Sequence, residues 1–83
     1  MPPLSELPGE ISRQRFLNAL RRVGFVINVS GGDGSHVMAT WPLTQKSVTI
    51  QKKIPKQVLK YLLKEIDQVT MSKVTWERIK GEL

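Results

Sequence analysis

Apolar residues along this chain change their period at several points, and each change marks an element. Phe16, Leu17, Leu20 and Val23 recur at helical spacing, which predicts an amphipathic helix with one face for a core. Ser12 stands where an N-cap belongs, and Gly24 follows the last apolar position as its stop. From Phe25 to Val29 the chain is apolar and β-branched, and a second strand-like run covers Val37 to Trp41. The glycine-rich turn Ser30–Ser35 joins them, so the pair reads as a hairpin. After a turn around Pro42 to Lys46, Val48 and Ile50 alternate with polar neighbours in Ser47–Gln51, which adds a third strand.

A longer helix follows, with Pro55 suited to its first turn. Val58, Leu59, Leu62, Leu63 and Ile66 form its inner stripe, while Lys56, Lys60 and Lys64 step along the outside. Ser72 is placed to cap a last short helix carrying Trp76 and Ile79. Residues 1–11, with Pro2, Pro3, Pro8 and Gly9, read as a flexible N-terminal lead-in, because proline and glycine both oppose regular structure. Residues 12–83 then form a single domain. The predicted fold is α+β: a three-stranded antiparallel sheet with two helices on one face, plus a short C-terminal helix. If Val37, Ala39 and Trp41 face the helices, alternation assigns His36, Met38 and Thr40 to the uncovered face. The opposite phase stays open, since Met38 is apolar as well.

Composition narrows what such a domain can do. Its 83 residues allow one modest core, burying about 60–65% of the unfolded chain's surface. The absence of cysteine excludes disulfides, thiolate metal sites and cysteine nucleophiles. With a single histidine, a dedicated zinc site is not expected, and no cofactor is called for. The chain shows no basic start followed by an apolar run at its N-terminus, nor any apolar stretch of membrane-spanning length, so a cytoplasmic protein without membrane contact is expected.

Thirteen Lys and Arg against seven Asp and Glu leave a net charge of +6. The excess is uneven: residues 1–45 hold four basic and three acidic side chains, residues 46–83 nine and four. Lys46, Lys52, Lys53, Lys56, Lys60 and Lys64 make the second half a candidate polyanion surface, with a solvated lysine-rich face as the plainer reading.

His36 is the one side chain suited to exchanging protons near neutral pH. It follows Ser30-Gly31-Gly32-Asp33-Gly34-Ser35 and opens the middle strand, so a turn and a strand together would fix it. A lone histidine is also often structural or solvated. Ser35 beside it invites a hydrolase reading, but neighbours on a strand point to opposite faces and no third orienting carboxylate is evident. Trp41 and Trp76 fit core positions better than base-stacking ones.

In three places the chain resembles the HicA family, the small mRNA-cleaving toxins of bacterial toxin–antitoxin pairs. They are Leu20-Arg21-Arg22-Val23-Gly24-Phe25 at the end of the first helix, Gly34-Ser35-His36 opening the second strand, and Val48-Thr49-Ile50 leading to Leu59-Lys60-Tyr61-Leu62-Leu63-Lys64. The likeness spans residues 12 to 80. It implies an α-β-β-β-α fold like that of double-stranded-RNA-binding domains, His36 as catalytic residue of a metal-independent endoribonuclease, and a HicB-like antitoxin that masks the site in a shared complex. On that reading Gly34, Ser35, Lys46, Lys52, Lys53 and Lys56 contact RNA, and backbone N–H groups of Gly32 to Ser35 form an anion nest. Many relatives carry a basic residue before the Gly-Ser-His motif and a second histidine ending the third strand; here Asp33 and Gln51 stand near those places. Asp33 either fixes the turn or orients His36. With one histidine, the second proton-transfer role falls to water, a lysine or a dimer mate, so turnover is expected to be modest. Two rivals are a non-catalytic module that reads duplex RNA by shape and a pure protein-interaction domain.

Overall fold

A computed structural model describes residues 7–30 and 36–83. In chain order its elements are β1 (Glu10–Ser12), α1 (Arg13–Val23), β2 (Val26–Ser30), β3 (His36–Trp41), β4 (Lys46–Ile50), β5 (Lys53–Pro55), α2 (Lys56–Val69) and α3 (Trp76–Gly81). The architecture is α+β, with a three-stranded antiparallel sheet ordered β2-β3-β4 and a separate two-stranded pairing of β1 with β5.

Helix α1 forms as its sequence predicts. The extended Ser12 caps it, its side chain accepting the Arg15 N–H at 3.2 Å, and Phe16, Leu17, Ala19, Leu20 and Val23 are buried. At the other end Gly24 donates its N–H to the Arg21 carbonyl at 3.1 Å and Phe25 to the Leu20 carbonyl at 2.9 Å. This paired closure satisfies carbonyls the helix leaves open. It needs a left-handed residue, and Gly24 has φ 119°. Space is short there too, since a Cβ on Gly24 would sit 3.2 Å from the Trp41 ring. Phe25 packs on the same ring, the centroids 5.0 Å apart. Gly24→Ala is therefore expected to cost about 1–2 kcal/mol from the backbone alone, read as a lower urea midpoint at unchanged slope. A midpoint equal to that of the parent chain would show that the corner tolerates a side chain.

The sheet register runs Val26↔Thr40, Asn28↔Met38 and Ser30↔His36 on one side of β3, and Val37↔Ile50, Ala39↔Val48 and Trp41↔Lys46 on the other. Val37, Ala39, Trp41, Val48 and Ile50 are buried and share one core with the inner stripes of the helices. That settles the strand phase: Met38 is exposed and Thr40 part-exposed, on the side away from the core. Strand β2 begins one residue later than predicted because the Phe25 N–H is already committed to closing α1. Strand β4 begins one residue earlier, because pairing continues to Trp41↔Lys46.

Helix α2 starts at Lys56, with Pro55 as its extended N-cap rather than inside its first turn. Leu59, Leu62, Leu63 and Ile66 are buried, and Val58 packs partly against them. The turn between β3 and β4 is tied to the end of α2 by Thr44, whose hydroxyl donates to the Val69 carbonyl at 2.9 Å.

Two expectations change. The lead-in predicted over residues 1–11 does not hold for its described part, residues 7–11: Leu7 and Ile11 are buried, and β1 pairs antiparallel with β5 through Glu10↔Pro55, Ile11↔Ile54 and Ser12↔Lys53. Ile54 is fully buried, so the two isoleucines anchor the pairing to the core. Nor does Ser72 cap the last helix. It follows Met71 in left-handed backbone, φ 65° after φ 54°, and Thr75 holds the N-cap position. The turn is organised by buried Thr70, whose hydroxyl donates to the Ile66 carbonyl at 2.8 Å and accepts the Val74 N–H at 3.1 Å. Helix α3 packs Trp76 and Ile79 into the core, and Arg22 reaches the Glu82 carbonyl at 2.8 Å. Among the described residues no helix is long and apolar enough to cross a membrane.

Candidate nucleic-acid interface

Strand β3 is the middle of the sheet, hydrogen-bonded on both sides, and so has the least freedom to shift register. Its first residue is His36, whose backbone pairs with Ser30. In the pleat, position 36 falls in the phase of Met38 and Thr40. Gly34, Ser35 and the proposed nest from Gly32, together with Asp33, lie outside the described residues.

The last rung between β3 and β4 near this end is Val37↔Ile50. Gln51 thus leaves the sheet where His36 enters it, and it is exposed. Lys52 follows, also exposed. Lys53 is exposed on β5 opposite Ser12. Lys56 opens α2, part-buried, and its N–H donates to the Gly9 carbonyl at 3.1 Å. The short link from Ile50 to α2 therefore holds Lys52, Lys53 and Lys56 on the His36 side of the fold. Lys46 is not among them. Its pairing with Trp41 sets it at the far end of β3, five residues from His36, or about 17 Å of extended strand.

Arg13 is not among the residues that the sequence singles out. The structure has it part-buried directly after Ser12, next to the β1–β5 pairing that carries Lys53. Its Nη1 is enclosed and has no hydrogen-bond partner among the described residues. A guanidinium N–H in that state gains from any anion that reaches it. Nothing in the local sequence signals this.

The outer sheet face is mixed. Val26 is 51% and Met38 38% exposed; Asn28, Ser47 and Thr49 are exposed beside them. Thr40 and Ser47 share a hydroxyl hydrogen bond of 2.7 Å across β3 and β4. Among the described residues the surface thus offers apolar contacts, amide and hydroxyl groups without a carboxylate, next to an end rich in lysine.

No family model matches this chain, and neither the curated proteins nor the solved structures contain a match.

Proposed function

We propose that this chain is a HicA-type endoribonuclease, an mRNA-cleaving toxin of the bacterial cytoplasm held in check by a HicB-like antitoxin, with a fold of the double-stranded-RNA-binding kind. One observation carries the reading: the single histidine opens the central strand at the end of the sheet where Lys52, Lys53 and Lys56 gather. The order of α1, β2, β3, β4 and α2 supports the fold assignment, with the β1–β5 pairing as an addition to it.

The chemistry asks little of the protein, since RNA carries its own nucleophile. His36 accepts the proton of a 2′-hydroxyl as that oxygen attacks the adjacent phosphorus. The 2′-O–P bond forms and the 5′-O–P bond breaks, which leaves a cyclic phosphate on one fragment and a hydroxyl on the other. The departing 5′-oxygen takes its proton from water or from a neighbouring lysine. Lys52 and Lys53 balance charge on the phosphorane, where fixed cations contribute most. Gly34 and Ser35 hold the phosphate through their backbone N–H groups. Lys46 is left to bind flanking RNA. Exposed Val26 and Met38 suit an antitoxin that covers the open face.

The decisive substrate is a DNA oligonucleotide containing one ribonucleotide, incubated with the protein and a chelator. Cleavage is expected at the ribonucleotide only, and replacing that 2′-hydroxyl with hydrogen should stop it. Cutting of the all-deoxy strand, or loss of cutting on chelation, would overturn the mechanism. Intact RNA under all conditions would instead favour a non-catalytic binding module.

A further inference from the structure

Helix α2 has an outer side that the cleavage site meets only at its first residue, Lys56. Its buried stripe faces β4, β5 and the core, so its opposite arc lies on the far side of the molecule from the open sheet face. That arc carries Gln57, Lys60, Tyr61, Lys64 and Gln68, all exposed. The helix's two carboxylates, Glu65 and Asp67, are part-buried on its flanks. Tyr61 is 66% exposed, a large aromatic ring left in water with no part in the core. Gln57, Lys60, Tyr61 and Lys64 line a shallow open depression of about 300 Å³.

We propose that this arc is a second RNA-binding surface, specific for single strands, with Tyr61 as a stacking platform for a base and Lys60 and Lys64 as phosphate contacts. The lysines are one helical turn apart, about 6 Å along the axis, a spacing that can follow successive phosphates of one strand. An acidic protein segment would also satisfy the lysines, but it would leave the exposed ring unused, whereas every base offers it a face. A membrane surface fits poorly, because the apolar residues of α2 are spent in the core. The inference rests on the RNA reading above and extends it: a long RNA would run from the sheet end past Lys56 onto the outer side of α2, so the helix would raise affinity for long strands without touching the bond that is cut.

The test uses a fluorescein-labelled 12-nucleotide oligouridylate and the full chain carrying His36→Ala, so that the RNA stays intact, with anisotropy followed over a range of salt. Adding Tyr61→Ala should weaken binding about tenfold, while Tyr61→Phe should not. Lys60→Ala with Lys64→Ala should lower the slope of log affinity against log salt by about 1.4; Lys60→Arg with Lys64→Arg should restore it, which separates a lost contact from a damaged fold. An unchanged affinity and slope in Lys60→Ala/Tyr61→Ala/Lys64→Ala would overturn the proposal. So would displacement of the RNA by oligoglutamate of equal charge as readily as by unlabelled RNA, which would point to an acidic protein segment. Cleavage of a short substrate by the otherwise unaltered chain reports on the first site separately: normal cutting with normal binding by the triple variant defeats this inference alone, and absent cutting with weakened binding defeats the nuclease alone.

Discussion

His36→Ala is expected to slow RNA cleavage by at least about a hundredfold, since removing a positioned proton-transfer group costs on the order of 10²–10⁴ in rate. The loss should fall on the chemical step and leave RNA affinity nearly intact, because the lysines proposed to attract the polyanion are elsewhere: Lys52 and Lys53 beyond β4, Lys56 at the start of α2. Single-turnover cleavage of a defined RNA, measured beside its binding isotherm, separates the two. With one histidine in the chain, no second imidazole can take over the role. Cutting within a few-fold of the parent rate would remove His36 from the mechanism. Growth and RNA integrity followed in cells expressing each chain would carry the same comparison to long messages.

The largest expected effect on stability is that of Phe16→Ala. Phe16 is fully buried near the start of α1, and truncating such a ring costs about 3–5 kcal/mol in lost transfer energy and cavity. A domain of this length holds roughly 4–12 kcal/mol in all, so the variant loses a large share of its folding free energy. Its melting temperature should drop by roughly 15–30 °C. Thermal unfolding by circular dichroism checks this, and a drop of only a few degrees would mean that α1 can repack around the gap.

Much of the fold was legible because burial imposes its period on sequence. Both long helices follow their apolar stripes, and β4 alternates, whereas apolar Met38 left the phase of β3 open until burial decided it. Ser12 and Gly24 act as the caps their chemistry suggests, since each satisfies backbone groups within a few residues of itself. What escaped depends on distant partners. The β1–β5 pairing joins Ile11 to Ile54, two single apolar residues among polar neighbours, and neither segment is long enough to show a period. Ser72 looked like a cap because it precedes an apolar helix by a suitable distance. The hydroxyl that organises that turn belongs instead to Thr70, which bonds back to Ile66 and forward to Val74. Of the candidate site, the strand position of His36 was readable from its place after the turn. That Lys46 stands apart from Lys52 and Lys53 was not, because only strand register assigns them to opposite ends.

The pairing of β1 with β5 also bears on the order in which the chain assembles. The β2–β3 and β3–β4 ladders join neighbouring segments and can form early, whereas Ser12↔Lys53 must close a loop of about 40 residues, an entropic cost that only a preformed interior repays. The two strands run directly into α1 and α2, so their joining fixes the starts of both helices relative to each other. It is the clasp of the domain, and loop-closure entropy predicts that it closes after the meander, setting Lys53 and Lys56 beside the starts of the two helices.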